Sequence, residues 1–259
     1  TELDSLFLVA SGLASASFVA AWFATSREVR PPPRRHVPIV PLLRRYHPGV
    51  LLAMGVMTGI ALGMPATFLR TFAAELSINR LAPYFTVYAV TAIATRLATR
   101  RLTERLGIRG AILIGMALLV VGVASYLAVA NEWQLLVPAM FTGAGQAILY
   151  PAVVAGGSAT FPARYRGVGT TLMLATIDLG TLTGAPLIGG IVHYGREIGL
   201  PGYPAMFVCI AALLVVSTAF YAMVSRSTDA EPELASSAIA PDTLNPIEDT
   251  PVAAASSAG

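Results

Sequence analysis

A single carboxylate, Asp178, lies deep inside a long apolar stretch, ten residues from Val168 and fifteen from His193. An ionisable side chain at that depth is costly in hydrocarbon and normally faces a cavity or a partner. Its chemistry is that of a proton or cation site, or of a contact for a bound solute. The alternative is an Asp that only ties two helices together by hydrogen bonding. Thr171, Asp178 and Thr181 share a helix face by the i, i+3, i+7 rule.

Two other apolar stretches carry polar stripes at helical spacing. Tyr84, Tyr88, Thr91 and Thr95 recur in one, and Thr142, Gln146 and Tyr150 in the other. Facing lipid, their hydroxyl and amide groups go unpaired, so both stripes are expected to face protein or water. They either line a pathway or bond helix to helix. With Asp178 and Thr171, the residues Tyr88, Thr142, Gln146 and Tyr150 form the candidate solute and ion pathway. Arg70, one turn after Thr67, either snorkels to the interface or acts as counter-charge to an anionic solute.

The elements that must hold these residues are seven apolar stretches: Ser5–Thr25, Gly49–Phe72, Ala82–Thr99, Ala111–Ala130, Leu135–Gly157, Val168–His193 and Tyr203–Val224. A hydrocarbon core ~30 Å thick needs ~20 apolar residues of helix, so each is expected to cross. Of the 17 arginines, 14 fall in alternate gaps and the C-terminal tail, which predicts those gaps and the C-terminus to be cytoplasmic. Hydrophobic residues are 55% and charged residues 12%, against ~25% charged in soluble domains, which excludes a water-soluble chain. The membrane expected is the inner or plasma membrane.

The basic balance is accounted for by that asymmetry, and no nucleic-acid surface remains over. There is no lysine, so a retinal Schiff base is excluded. Cys209 is the sole cysteine, and His36, His47 and His193 are scattered. No metal site, cofactor or His-based catalytic set is expected, and the chain is not expected to be an enzyme.

Residues 1–25 are predicted to be an isolated transmembrane helix. Residues 26–47, with Pro31-Pro32-Pro33 and six arginines, form an extended basic cytoplasmic linker. Residues 48–224 are a six-helix bundle, and residues 225–259 a disordered cytoplasmic tail. The short loops predict that successive helices pack as antiparallel neighbours. The chain does not begin with Met, and the grouping predicts that its first helix belongs to something upstream. Pro65-Ala66 and Pro151-Ala152 lie at matching positions of oppositely directed spans, where proline can mark flexible helix. Gly180, Gly184, Ala185, Pro186, Gly189 and Gly190 form small-residue faces for close packing.

The gap Arg100-Arg101-Leu102-Thr103-Glu104-Arg105-Leu106-Gly107-Ile108-Arg109 resembles the cytoplasmic signature of the major facilitator superfamily, Gly-x-Leu-x-Asp-Arg-x-Gly-Arg-Arg. Leu102, Arg105, Gly107 and Arg109 match, Glu104 replaces the Asp, Arg100 stands for Gly and Ile108 for Arg. The stretch Phe161–Gly167 is similar to the family's loop before the eleventh helix. The resemblance implies an all-α membrane protein whose seven helices correspond to helices six to twelve, six of them forming one half-bundle. It also implies secondary transport of a small molecule, a drug, metabolite or sugar-type solute, by alternating access with proton coupling. The partners so implied are the bilayer, the solute and the missing N-terminal half. Arg100, Glu104, Arg105, Gly107 and Arg109 would form the cytoplasmic gating motif. A seven-helix receptor or scaffold without transport is the alternative.

Overall fold

In hydrocarbon a backbone must satisfy its own hydrogen bonds, so long runs of Ala, Leu, Val, Ile and Met become helices. The computed structural model describes the backbone of residues 2–25, 39–100 and 102–238, and side chains within 7–24, 41–64, 67–100 and 106–225. Among the described residues the regular structure is helical: α1 Glu2–Thr25, α2 Ile39–Arg45, α3 Val50–Glu75, α4 Ala82–Ala98, α5 Leu102–Ser125, α6 Leu136–Ala159, α7 Arg166–Glu197 and α8 Gly202–Ala238. Two single 3-10 turns, at Tyr126–Ala128 and Ala163–Tyr165, join α5 to α6 and α6 to α7.

The chain divides into two units, Thr1–Arg45 and Tyr46–Gly259. The first holds α1 and α2. Along α1 the apolar side chains Phe7, Leu8, Trp22 and Phe23 are exposed, as suits a helix solvated by lipid. Within the linker expected to be extended, Ile39–Arg45 is helical. Pro41 falls in its first turn, where its missing N–H costs nothing. Residues 26–38 lie outside the described residues.

The second unit is a bundle of α3 to α8. Among the described residues, five helical segments are long and apolar enough to cross a membrane: Phe7–Ala24, Leu106–Ala128, Leu136–Ala159, Ala163–Glu197 and Gly202–Ser225. The two arms of α3, Val50–Met64 and Thr67–Glu75, make a sixth if taken as one span. The expected seventh, α4, has 17 residues, about 26 Å at 1.5 Å per residue, and falls short of that length. Helix also continues past several expected ends, furthest at α5 and α8. α8 runs on beyond Val224 to Ala238, and α5 begins at Leu102 inside the expected loop. Residues 239–259 of the tail lie outside the described residues.

Packing follows small residues rather than chain order. α3 packs chiefly on α7, α5 on α6, and α4 on α6. The expectation that successive helices are neighbours therefore holds for α5–α6, α6–α7 and α7–α8 but fails for α3–α4 and α4–α5. The reason lies on α3, where Gly55, Gly59 and Gly63 repeat every four residues and meet Thr176, Ile177 and Thr181 of α7. Gly180 of α7 lies against the Val56 backbone and Gly184 against Ile60. Matched small faces allow backbones to approach, and in lipid that close packing is the main drive for association.

The arms of α3 meet at 40°, with Pro65 between them in sequence. Proline interrupts the i→i−4 ladder and bends helices there. α6, in contrast, is continuous through Pro151 and α7 through Pro186. The two prolines of the expected pair thus sit differently, one at a bend and one within an unbroken helix. α6 is packed between α4 and α5, with Ala152, Val153, Gly156 and Gly157 buried.

Candidate functional site

α4 and α6 meet where α6 has no side chain. A Cβ on Gly143 would lie 2.6 Å from the carbonyl oxygen of Tyr88, so only glycine lets the two backbones come this close. Thr142 and Gln146 flank that crossing on α6, and Tyr84 and Tyr88 flank it on α4. On its other side α6 is fixed to α5 by a second set of glycines. A Cβ on Gly115 would lie 2.7 Å from Leu149 Cβ, and one on Gly122 2.7 Å from Thr142 Cγ2.

Two cavities lie along the α4–α6 seam and share Tyr88 and Gln146. One, of about 140 Å³, is bounded by Ala61 and Leu62 of α3, Tyr84, Phe85 and Tyr88 of α4, Leu119 of α5, and Thr142 and Gln146 of α6. The other, of about 300 Å³, carries Tyr88, Arg96, Gln146 and Tyr150 among small and apolar side chains. Their linings together make a track of residues along α4 and α6, from Tyr84 to Arg96 at the arginine-rich end.

The polar groups on this track differ in how they are satisfied. Tyr84 is buried and its hydroxyl shares a hydrogen bond of 2.7 Å with that of Tyr126. Thr142 is buried and donates to the carbonyl of Pro138 at 2.5 Å. Tyr88 stacks on Tyr84, ring centroids 6.3 Å apart. Gln146 is different, because its buried Oε1 has no hydrogen-bond partner. A buried amide oxygen without a donor is destabilising by ~1–3 kcal/mol, and a solute or water that donates to it relieves that cost. The arrangement can therefore hold a hydroxyl-bearing molecule between aromatic rings, next to a guanidinium.

The structure brings together Tyr88, Thr142, Gln146 and Tyr150 from the sequence-predicted set. It leaves Asp178, Thr171 and Arg70 elsewhere. Asp178 is exposed on α7, in line with exposed Thr171 and Leu182. Thr181, expected on the same face, instead donates to the carbonyl of Gly59 on α3 at 3.1 Å. The hydroxyl of Thr171 is used on its own helix, donating to Gly167 O at 3.0 Å. Arg70 is exposed near the end of α3 away from the arginine-rich gaps.

At the arginine-rich end, Arg109 donates from Nε to Ser225 Oγ at 2.8 Å and from Nη2 to the Ala222 carbonyl at 3.2 Å. It thereby ties α5 to α8. Gly107 breaks the helical path just before it, with φ 70° and ψ 173°, a conformation essentially reserved for glycine. Arg100 is exposed just beyond the end of α4. The side chains of Glu104 and Arg105 lie outside the described residues, and with them the expected charge network.

Sequence reasoning missed the aromatic cluster at the opposite end. The Phe72 ring meets Tyr126, Tyr203 and Phe207 edge-on at 6.1, 5.5 and 4.9 Å, and Tyr126 stacks on Phe207 at 4.9 Å. Beside it Arg196 pairs with Glu75 and lies 5.6 Å from the Tyr203 ring. These contacts join residues remote in sequence, and no local spacing announces them. Arg96 was also passed over, because an arginine at a helix end already satisfies the charge asymmetry.

Among known proteins, one of Agrobacterium vitis named "Putative tartrate transporter" is 32% identical over 74 residues, 29% of this chain. The match spans only 17% of that protein's length. The model of the Major Facilitator Superfamily matches residues 48–255, which takes in the whole α3–α8 bundle. The match covers well over half of the chain, and the protein belongs to the Major Facilitator Superfamily.

Proposed function

We propose that this chain is the C-terminal part of a secondary active transporter, one that moves a small polar solute by alternating access. The observation that carries this is the track between α4 and α6, where Tyr88, Gln146 and Tyr150 converge on cavities within a transporter-family bundle. On this reading α4 is a seventh crossing, its 17 residues meeting the shorter local path that a broken or solvated bundle interior allows. The arginine-rich end and the C-terminus are cytoplasmic, by the distribution of arginine. α1 belongs to the N-terminal half, which supplies the opposing bundle. The solute is of the metabolite class, and the relative named for tartrate supports a small polar molecule over a large amphiphilic drug.

The driving gradient is of protons, and Asp178 is the group that carries them. Two features support that role. It is the one carboxylate deep in a span, and it stands on the exposed face of α7 rather than in the α3–α7 contact. A second bundle packing on that face would enclose it.

The test is uptake of labelled solute into vesicles bearing the intact protein, with and without an imposed pH gradient. Accumulation that follows the gradient is expected. The Asp178→Asn variant should lose gradient-driven accumulation while still exchanging solute at equilibrium. Uptake indifferent to both gradient and protein would remove the transport reading, and accumulation unchanged in Asp178→Asn would remove the role of Asp178.

A further inference from the structure

The larger cavity holds a cation and no anion. Arg96, in the last turn of α4, lines it beside Tyr88, Gln146 and Tyr150. No Asp or Glu is among the lining residues, and among the described residues Arg96 has no ion pair. The charge asymmetry of the chain needs an arginine near this end, but it does not need one that, though exposed, lines a cavity with two tyrosines and an unsatisfied amide. A guanidinium there matches a carboxylate in shape and charge and binds it through paired N–H donors. The Gln146 Oε1 on the same cavity accepts and has no donor, so a solute hydroxyl that donates to it satisfies it.

We propose that the solute is a small organic anion carrying at least one carboxylate and at least one hydroxyl, with Arg96 binding the carboxylate and Gln146 reading the hydroxyl. This rests on the transport reading above and names its substrate class. Tyr88 and Tyr150 supply the walls, and their hydroxyls serve the remaining oxygens. Eight residues of helix separate Tyr88 from Arg96, a rise of about 12 Å, so the cavity suits an acid of a few carbons.

The experiment is calorimetric titration of the purified protein in nanodiscs with L-tartrate, succinate and threitol. These are a hydroxylated diacid, the same chain without hydroxyls, and the same chain without carboxylates. Tartrate should bind most tightly, succinate more weakly, and threitol not measurably. Arg96→Gln should weaken both acids by roughly tenfold or more, as expected for loss of a charge-assisted hydrogen-bonded pair. Arg96→Lys should recover only part, because the fork geometry is lost. Gln146→Leu should weaken tartrate but leave succinate within about twofold, since only the hydroxyl contact is removed. Arg164→Gln, an exposed charge of the arginine-rich end outside the cavities, should leave all three titrations unchanged. Thermal unfolding of each variant separates lost binding from lost fold.

The proposal is overturned if threitol binds as well as tartrate, if Arg96→Gln binds the acids as the unaltered protein does, or if a folded protein binds neither acid. The transport reading fails separately. Acids that bind but are never taken up by vesicles sink transport and leave the anion site. Uptake of a neutral solute, indifferent to Arg96→Gln, sinks the anion site and leaves transport.

Discussion

Replacing Gly59 by alanine tests the physical basis of the bundle at its tightest point. The added Cβ would overlap the carbonyl oxygen of Ile177 and lie 2.8 Å from the Thr181 nitrogen and 2.9 Å from the Ile177 carbonyl carbon. All three are backbone atoms of α7, which no rotamer change can move aside. The helices must separate by roughly 1 Å, which forfeits a quarter to a half of the dispersion well at each displaced contact. The hydrogen bond from Thr181 to Gly59 O, now 3.1 Å, is stretched beyond use. Overpacking costs ~1–3 kcal/mol and an interhelical hydrogen bond in a membrane ~0.6 kcal/mol. The expected loss is therefore about 2–4 kcal/mol, or roughly 5–15 °C at ~2–4 °C per kcal/mol for a chain of this size. Gly190 supplies the internal control, being on α7 with no atom within 4 Å of its would-be Cβ. Gly190→Ala should be neutral or slightly stabilising, by removing glycine's excess backbone entropy from a helix. The assay is thermal unfolding of both variants in the same nanodiscs, followed by circular dichroism and by monodispersity. Equal melting temperatures for Gly59→Ala and Gly190→Ala would refute the claim that the glycine seam, rather than general hydrophobicity, holds α3 to α7.

Other consequences follow from single contacts. Tyr84→Phe and Tyr126→Phe should each cost ~1–2 kcal/mol by leaving the partner hydroxyl buried and alone, whereas the double variant should cost less than their sum; unfolding of all four proteins gives the coupling, and strict additivity would deny the bond. Ser77 ends α3 in the left-handed region at φ 56°, with Ile78 N bonded to Ala73 O at 2.9 Å. That is a glycine position, so Ser77→Gly should raise stability by up to ~1 kcal/mol, seen as a higher melting temperature. Gly107→Ala forces a side chain into φ 70° and should cost ~1–3 kcal/mol. It should also free Arg109 from Ser225, detectable as faster hydrogen exchange at the end of α8.

How much of this was legible in the sequence depends on the range of the interaction. Span positions largely were, because hydrophobic length is a local property; α4 came out short, since Ala82–Thr99 is apolar but ends in a turn at Thr99 and Arg100, and α3 counts only if its two bent arms are one span. The glycines of α7 announced a packing face, yet not its partner, because that requires knowing that Gly55, Gly59 and Gly63 lie opposite. The same blindness produced the wrong expectation of neighbouring α3 and α4. At the site, the stripes Tyr84–Tyr88 and Thr142–Gln146–Tyr150 pointed inward because their hydroxyls and amide would be unpaired in lipid, and the structure places them on one seam. Asp178 followed a different logic. Its depth was visible, but its separation from the seam depends on how α7 is rotated against α3. Thr181, three residues on, turned out to serve that contact instead.

The claim that the α4–α6 seam is the solute's path is tested most directly by labelling a cysteine placed at Gln146. Cys209, which is exposed, is first replaced by serine, and membrane-impermeant thiol reagents are then applied from each side of sealed vesicles bearing the intact protein. An alternating path predicts that position 146 reacts from both sides, never fast from both at once, and that a transported solute protects it. Reaction from one side only, unaltered by solute or by the pH gradient, would contradict the account.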